Sequence, residues 1–331
     1  MTTVLDDPPA ASERANHRSE PASDNEPAGG QPPSGGRRLR REMTAVRLSF
    51  HWPGTTKTLS PKQKATAADA FGATGRSISA GKKLIDTSHP AWKACTTVRS
   101  QAQKFWTGLT LPWPEPGIRL IRRGDVRDFN IRMEELRREL SDAASALDAE
   151  FDGLKRQAKE RLGVLFDPGD YPASVRNAFL VQWDYPSVEA PSYLRQMCPE
   201  IYREEQQRVA ARFEEAVRLA EAAFAEELSG LVEHLAERLV GDADGKPKVF
   251  RDSAVENLSE FFERFGRLNV TGSEQLESVV ADARGLLSGV DPQRLRDVSS
   301  VRQSVQAGLA RVQSTLDGLL VDRPRRRVIR G

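Results

Sequence analysis

The part of this 331-residue chain closest to a phosphate-binding loop is Gly75-Arg76-Ser77-Ile78-Ser79-Ala80-Gly81-Lys82-Lys83. A P-loop sets four residues between its glycines and puts Ser or Thr after the lysine, so that backbone N–H groups cradle phosphates and the hydroxyl holds Mg²⁺. Here five residues intervene and Lys83 stands where the hydroxyl belongs, so the segment reads as a loop before a helix. Metal chemistry needs His and Cys at ligand spacing. His17, His51, His89 and His234 share no such spacing with Cys95 and Cys198, and His89 and Cys95 miss the i,i+4 step that stacks ligands on a helix. Nucleophilic catalysis needs a nucleophile beside an oriented base. No Gly-x-Ser-x-Gly elbow occurs, and Cys95 lies among helix-forming residues. Asp125 and Asp128 read as helix caps rather than as an acid–base pair. The expectation is a protein without enzymatic activity of its own, and without metal or cofactor.

Binding is the chemistry left. Tryptophans and tyrosines crowd residues 92–202, and Trp113 stands in the proline-flanked run Leu111-Pro112-Trp113-Pro114-Glu115-Pro116-Gly117. These rings either pack a junction between elements or offer a partner surface, since rings on irregular segments are common hot spots. The partner reading rests on Trp113, Tyr193, Trp183 and Tyr185. A nucleic-acid reading would use two basic terminal segments, Arg37, Arg38, Arg40 and Arg41 at one end and Arg325, Arg326 and Arg327 at the other. A further group, Arg119, Arg122, Arg123, Arg127 and Arg132, is diluted by Asp125, Asp128, Glu134 and Glu135 and reads as a mixed, solvated surface.

The elements that must position these residues are mostly helical. Leu140, Ala144, Leu147, Phe151, Leu154 and Ala158 step by fours and threes, an apolar seam. A second long helix is predicted from about Glu200 to Val240, with Val209, Phe213, Val217, Ala220, Phe224, Leu228, Leu231, Leu235 and Leu239 as its apolar face. Glu204 with Arg208, and Glu214 with Arg218, are acid-before-base pairs on its wet side. The two long helices are expected to pack as an antiparallel pair. Ser60-Pro61-Lys62-Gln63 is a capping box, and His89-Pro90 opens a helix through Trp106. Val46, Leu48 and Phe50 alternate with Ala45, Arg47 and Ser49, and the large apolar or aromatic residues Phe179, Val181, Trp183 and Tyr185 recur at the same two-residue step, so a small antiparallel sheet should join 44–60, as a hairpin turning at Pro53-Gly54, with 178–185. Three helices opened by Ser253, Thr271 and Asp291-Pro292 should follow. The resulting division is a disordered, proline-rich tail at 1–41, the sheet and helix pair at 42–240, a helical C-terminal subdomain at 241–322 and a basic tail at 323–331.

Composition limits the function classes. Basic and acidic residues, 49 and 47, cancel to +2, so no whole-chain field demands nucleic acid or an anionic membrane. At 38% hydrophobic and 29% charged, the chain suits solvated helices better than a deep α/β core. No apolar run is long enough to span a bilayer, and the first residues lack a signal-peptide core. Two cysteines make no disulfide framework and fit a reducing cytoplasm.

The ordered region resembles a family of uncharacterised phage and bacterial helical proteins. The resemblance rests on Val46-Arg47-Leu48-Ser49-Phe50-His51-Trp52, on Gly81-Lys82-Lys83-Leu84-Ile85-Asp86, on Trp106 through Pro112, on Gly117-Ile118-Arg119-Leu120-Ile121 and on Phe179 through Tyr185, in that order. Members are often encoded beside a MoxR-type AAA+ ATPase and a von Willebrand A-domain protein of the cobaltochelatase-like sort. The resemblance implies an accessory role with such partners and carries over no catalytic residue. Residues 1–41 lie outside it.

Overall fold

A computed structural model describes residues 34–240, 253–269, 272–289 and 292–321. The protein is mainly α-helical with a small antiparallel sheet, as the periodicities predict. Its elements in chain order are α1 (Gly35–Glu42), β1 (Met43–His51), β2 (Thr56–Thr58), α2 (Pro61–Asp69), β3 (Gly81–Lys83), α3 (Pro90–Leu109), β4 (Thr110–Pro112), β5 (Ile118–Arg122), α4 (Val126–Leu162), β6 (Leu180–Asp184), α5 (Leu194–Met197), α6 (Pro199–Val240), α7 (Ser253–Leu268), α8 (Glu274–Leu287), α9 (Pro292–Asp297) and α10 (Ser299–Val321).

Local signals act where they were expected. Ser60 and Gln63 form a reciprocal capping box at α2, with Gln63 N–H donating to Ser60 Oγ and Ser60 N–H to Gln63 Oε1. His89 caps α3, its ring nitrogen accepting from Ala91 N–H at 3.3 Å, and Pro90 takes the first helical position. Asp125 occupies the cap position of α4 but its carboxylate makes no cap hydrogen bond. Instead it lies 3.8 Å from Arg267. Every residue of the predicted seam in α4 is buried. The helix stops at Gly163, whose φ of +51° suits glycine and lets its N–H bond Lys159 C=O.

The four-stranded sheet runs β4-β5-β1-β6, every pair antiparallel. Its strands send successive side chains to opposite faces, and the two faces enter two different cores. Met43 and Ala45 of β1 and Leu120 of β5 join the core built by α1, α6 and α7–α10. Val46 and Leu48 of β1, Ile121 of β5 and Val181 of β6 join the core built by α3 and α4. Both faces of β1 are thus covered at its start, which explains why the alternation predicted from Val46 onward gives way to Ala45-Val46, buried on successive positions.

This layering changes the predicted architecture in four places. The long helices do not form the expected pair, because α4 lies along α3 while α6 lies along α10 and α1, and the sheet stands between their cores. The Lys57 strand does not fold back on β1, since β5 and β6 already occupy both edges of β1. It pairs with β3 in a separate two-stranded sheet, with Thr56 opposite Lys83. The N-terminal tail was expected to reach Arg41, but residues 35–42 are helix α1. Leu39 is fully buried there, and Gly36 permits close approach to α6, since a Cβ in its place would lie 2.4 Å from Glu214 Oε1 and 3.1 Å from its backbone nitrogen. The C-terminal helices share one core with α6 rather than forming a core of their own, through stacked and edge-on rings of Phe224, Phe261 and Phe265. Four helices, not three, are described there. The cap of α8 is Ser273, whose Oγ accepts from Leu276 N–H. The expected openers Thr271 and Asp291, residues 1–33 and the Arg323–Arg330 segment lie outside the described residues.

Candidate partner-binding surfaces

The Gly75–Lys83 segment is the first candidate to be resolved. Its last three residues are β3, and the Lys82 side chain is 5% exposed, pointing inward. Lys82 Nζ lies 2.5 Å from Asp170 Oδ2 and donates to Leu165 C=O at 2.6 Å, while Lys57 of β2 bonds the other oxygen of the same carboxylate. Hydrogen bonds from Lys57 and Lys82 hold the Asp170 carboxyl below the usual carboxylate range. Nearby, Tyr171 Oη donates to Leu84 C=O at 3.0 Å. The lysine that a phosphate loop would aim at a ligand is here used to clamp the small sheet onto the turn after α4. Asp170 was missed in the sequence, where Asp167-Pro168-Gly169-Asp170 shows only a turn.

The other reactive groups are equally committed. Cys95 is fully buried and burial pushes its thiol pKa up, which disfavours the reactive thiolate. His89 is a helix cap. Among the described residues no group of three His, Cys, Asp or Glu side chains converges as a metal site would require. A cleft of about 650 Å³ between α3 and α7 is lined by residues of both charges, among them Lys104, Glu260, Glu263 and Arg264. Arg264 in it already pairs with Glu227. No described helix is long and apolar enough to cross a membrane.

The four aromatic candidates part company. Trp113 is 5% exposed and packs edge-on against Phe213 of α6 at 4.9 Å. The proline-flanked run that carries it is not a free linker. In fact β4 pairs with β5 through Pro112 and delivers Trp113 into the core under α6, so it holds the fold and is withdrawn as a contact residue. Trp183 is half-buried, its Nε1 donating to Asn130 Oδ1 at 2.6 Å and its ring lying under the Arg137 guanidinium at 5.6 Å. Tyr185 is 38% exposed at the end of β6, and burial of its ring raises the phenol pKa. Only Tyr193 projects fully, at 62% exposure. It has company that the sequence did not flag, because Met197 and Ile201 are 72% and 47% exposed. The three lie four residues apart where α5 meets α6. A four-residue spacing of apolar side chains ordinarily marks a buried helix face, so the pattern alone conceals their exposure.

The arginines of the proposed nucleic-acid arm are mostly spoken for. Arg40 makes a bidentate pair with Glu189, at 3.0 and 2.5 Å, and that hydrogen bonding raises its pKa. Arg38 bonds Glu42 at 3.4 Å, with Arg41 3.6 Å from the same carboxylate. They belong to a docked helix, which corrects their reading as a free basic arm; Arg37 alone of the four has no ion pair among the described residues. Arg325, Arg326 and Arg327 lie outside the described residues. On α6, Arg208 pairs with Glu205 at 2.5 Å rather than with Glu204, the neighbour expected from sequence. Comparison with protein-family models, with curated proteins and with solved structures finds no match.

Proposed function

We propose that this chain is a non-catalytic interaction protein, and that it serves as an accessory to a MoxR-type AAA+ ATPase and a von Willebrand A-domain partner in a phage or bacterial cytoplasm. The observation that carries the interaction reading is the exposure of three apolar side chains within nine residues, Tyr193, Met197 and Ile201, on a frame whose other rings, Phe71 and Tyr185 apart, are largely packed or bonded. Apolar side chains gathered in the open favour a protein contact, because burying them removes that surface from water. The polar outer faces of α4 and α6 offer less. Support for the partner's class comes from the sequence resemblance. The non-catalytic reading draws on Lys82, His89 and Cys95, each engaged within the fold.

The test is co-purification from the native host with Tyr193→Ala and Met197→Ala full-length variants. Both should lose partner retention while melting as the wild type does, since neither side chain is buried. Retention unchanged in both variants would place the contact elsewhere.

A further inference from the structure

We propose that the outer edge of β6 accepts an extended acidic peptide as an additional strand, held by the guanidinium groups of Arg138 and Arg176. This surface is separate from the Tyr193 patch and does not depend on the reading given above.

The two edges of the sheet are treated differently. At one edge β4 has three residues, ends in Pro112 and lies against α6, so its bonding groups are few and covered. At the other, β6 has five residues with no proline, bonds β1 on one side only and meets no described strand on the other. Alternate residues of an antiparallel strand turn their N–H and C=O groups away from the paired neighbour, so β6 presents donors and acceptors at the spacing of another peptide. Leu180, at 43% exposure, adds apolar surface on this edge.

Two clefts run beside that strand, of about 510 and 330 Å³, and both are lined by Val181 and Arg137. The larger contains Glu134 and Asp184, but each is already neutralised, Glu134 by Arg137 at 2.5 Å and Asp184 by Arg47 at 2.5 Å. The smaller is lined by Arg137, Arg138 and Arg176 and by no carboxylate. Arg138 and Arg176 are exposed and have no ion pair among the described residues. The combination therefore calls for a ligand that carries carboxylates and can also exchange main-chain hydrogen bonds. A phosphate backbone supplies the negative charge but not the main-chain exchange, since its oxygens accept and do not donate.

The experiment uses the full chain and a capped, fluorescein-labelled peptide of alternating glutamate and valine, read by fluorescence anisotropy at low salt. The peptide should bind. Arg138→Glu combined with Arg176→Glu should weaken it about a hundredfold, about tenfold for each charged hydrogen bond removed. Arg138→Gln should give an intermediate loss, and melting curves should match the wild type. A peptide of equal charge with proline in place of valine loses every second N–H donor and carries rings that interrupt strand pairing, so it should bind far more weakly. The proposal is overturned by absence of binding, by equal affinity for the proline peptide, or by tighter, equally arginine-dependent binding of an oligo-dT strand, which would make this an anion surface. Tyr193→Ala should leave the peptide affinity unchanged, so the fate of this edge and that of the Tyr193 patch are read separately.

Discussion

The two faces of the four-stranded sheet are covered by helices recruited in opposite ways. Beneath Val46, Leu48 and Ile121 lie α3 and α4, the helices that flank β4 and β5 directly in the chain. Over Met43, Ala45 and Leu120 lie α1, just before β1, and α6 with α7–α10, which begin more than seventy residues after β5. The first core mixes rings from helices, strands and loops, with Trp52 and Trp92 both edge-on to Phe179 and Phe105 stacked on Phe129. The second is mainly helix on helix. The contrast shows that an amphipathic stripe states how much surface a helix must bury but not against which partner. Both long helices have clean stripes, and each found a different face of the same sheet.

The sharpest way to break the comparison is a charge in the α3–α4 core. Leu147 is fully buried on α4, and Leu147→Asp places an unpaired carboxylate there, which should cost about 4 kcal/mol or more. If the two cores are one cooperative unit, a single urea transition moves down for the whole molecule. If they are separable, the far-ultraviolet signal splits into two transitions, with that of α6–α10 retained.

A smaller loss is expected at the boundary of the other core. Trp113→Ala should cost about 3–5 kcal/mol, the usual result of deleting a buried aromatic. Melting should therefore fall before partner retention does, the reverse of the behaviour expected for Tyr193→Ala. Retention lost at an unchanged melting temperature would instead make Trp113 a contact residue despite its burial.

The smallest effect concerns the clamp between the small sheet and the turn after α4. The folded pKa of Asp170 is depressed below the free value of about 3.9, so its stabilisation is fully present above that value and is lost as pH falls through the folded pKa. Asp170→Asn should lower the urea midpoint near neutral pH, and the gap from wild type should close in acid. A gap independent of pH would show that the carboxylate charge is not what holds Lys57 and Lys82.

Much of this molecule was written locally. The Ser60–Gln63 box, the His89-Pro90 start, the four-three seam of α4, the stripe of α6 and the strands at Val46 and Val181 could all be read before any contact was known. Each depends on interactions within a few residues, and a cap or a period repeats the same geometry wherever it occurs. Tertiary structure alone decided which edges of β1 were filled, and so where Lys57 and Lys82 went and why Asp170 meets both. It decided that Trp113 turns inward while Tyr193, with a similar proline-bounded setting, turns outward. It also left β6 with an open edge beside Arg138 and Arg176, two arginines about forty residues apart that nothing in the order of residues connects. These outcomes depend on pairing across long stretches of chain, where many partners satisfy the same apolar pattern and only the assembled packing selects one.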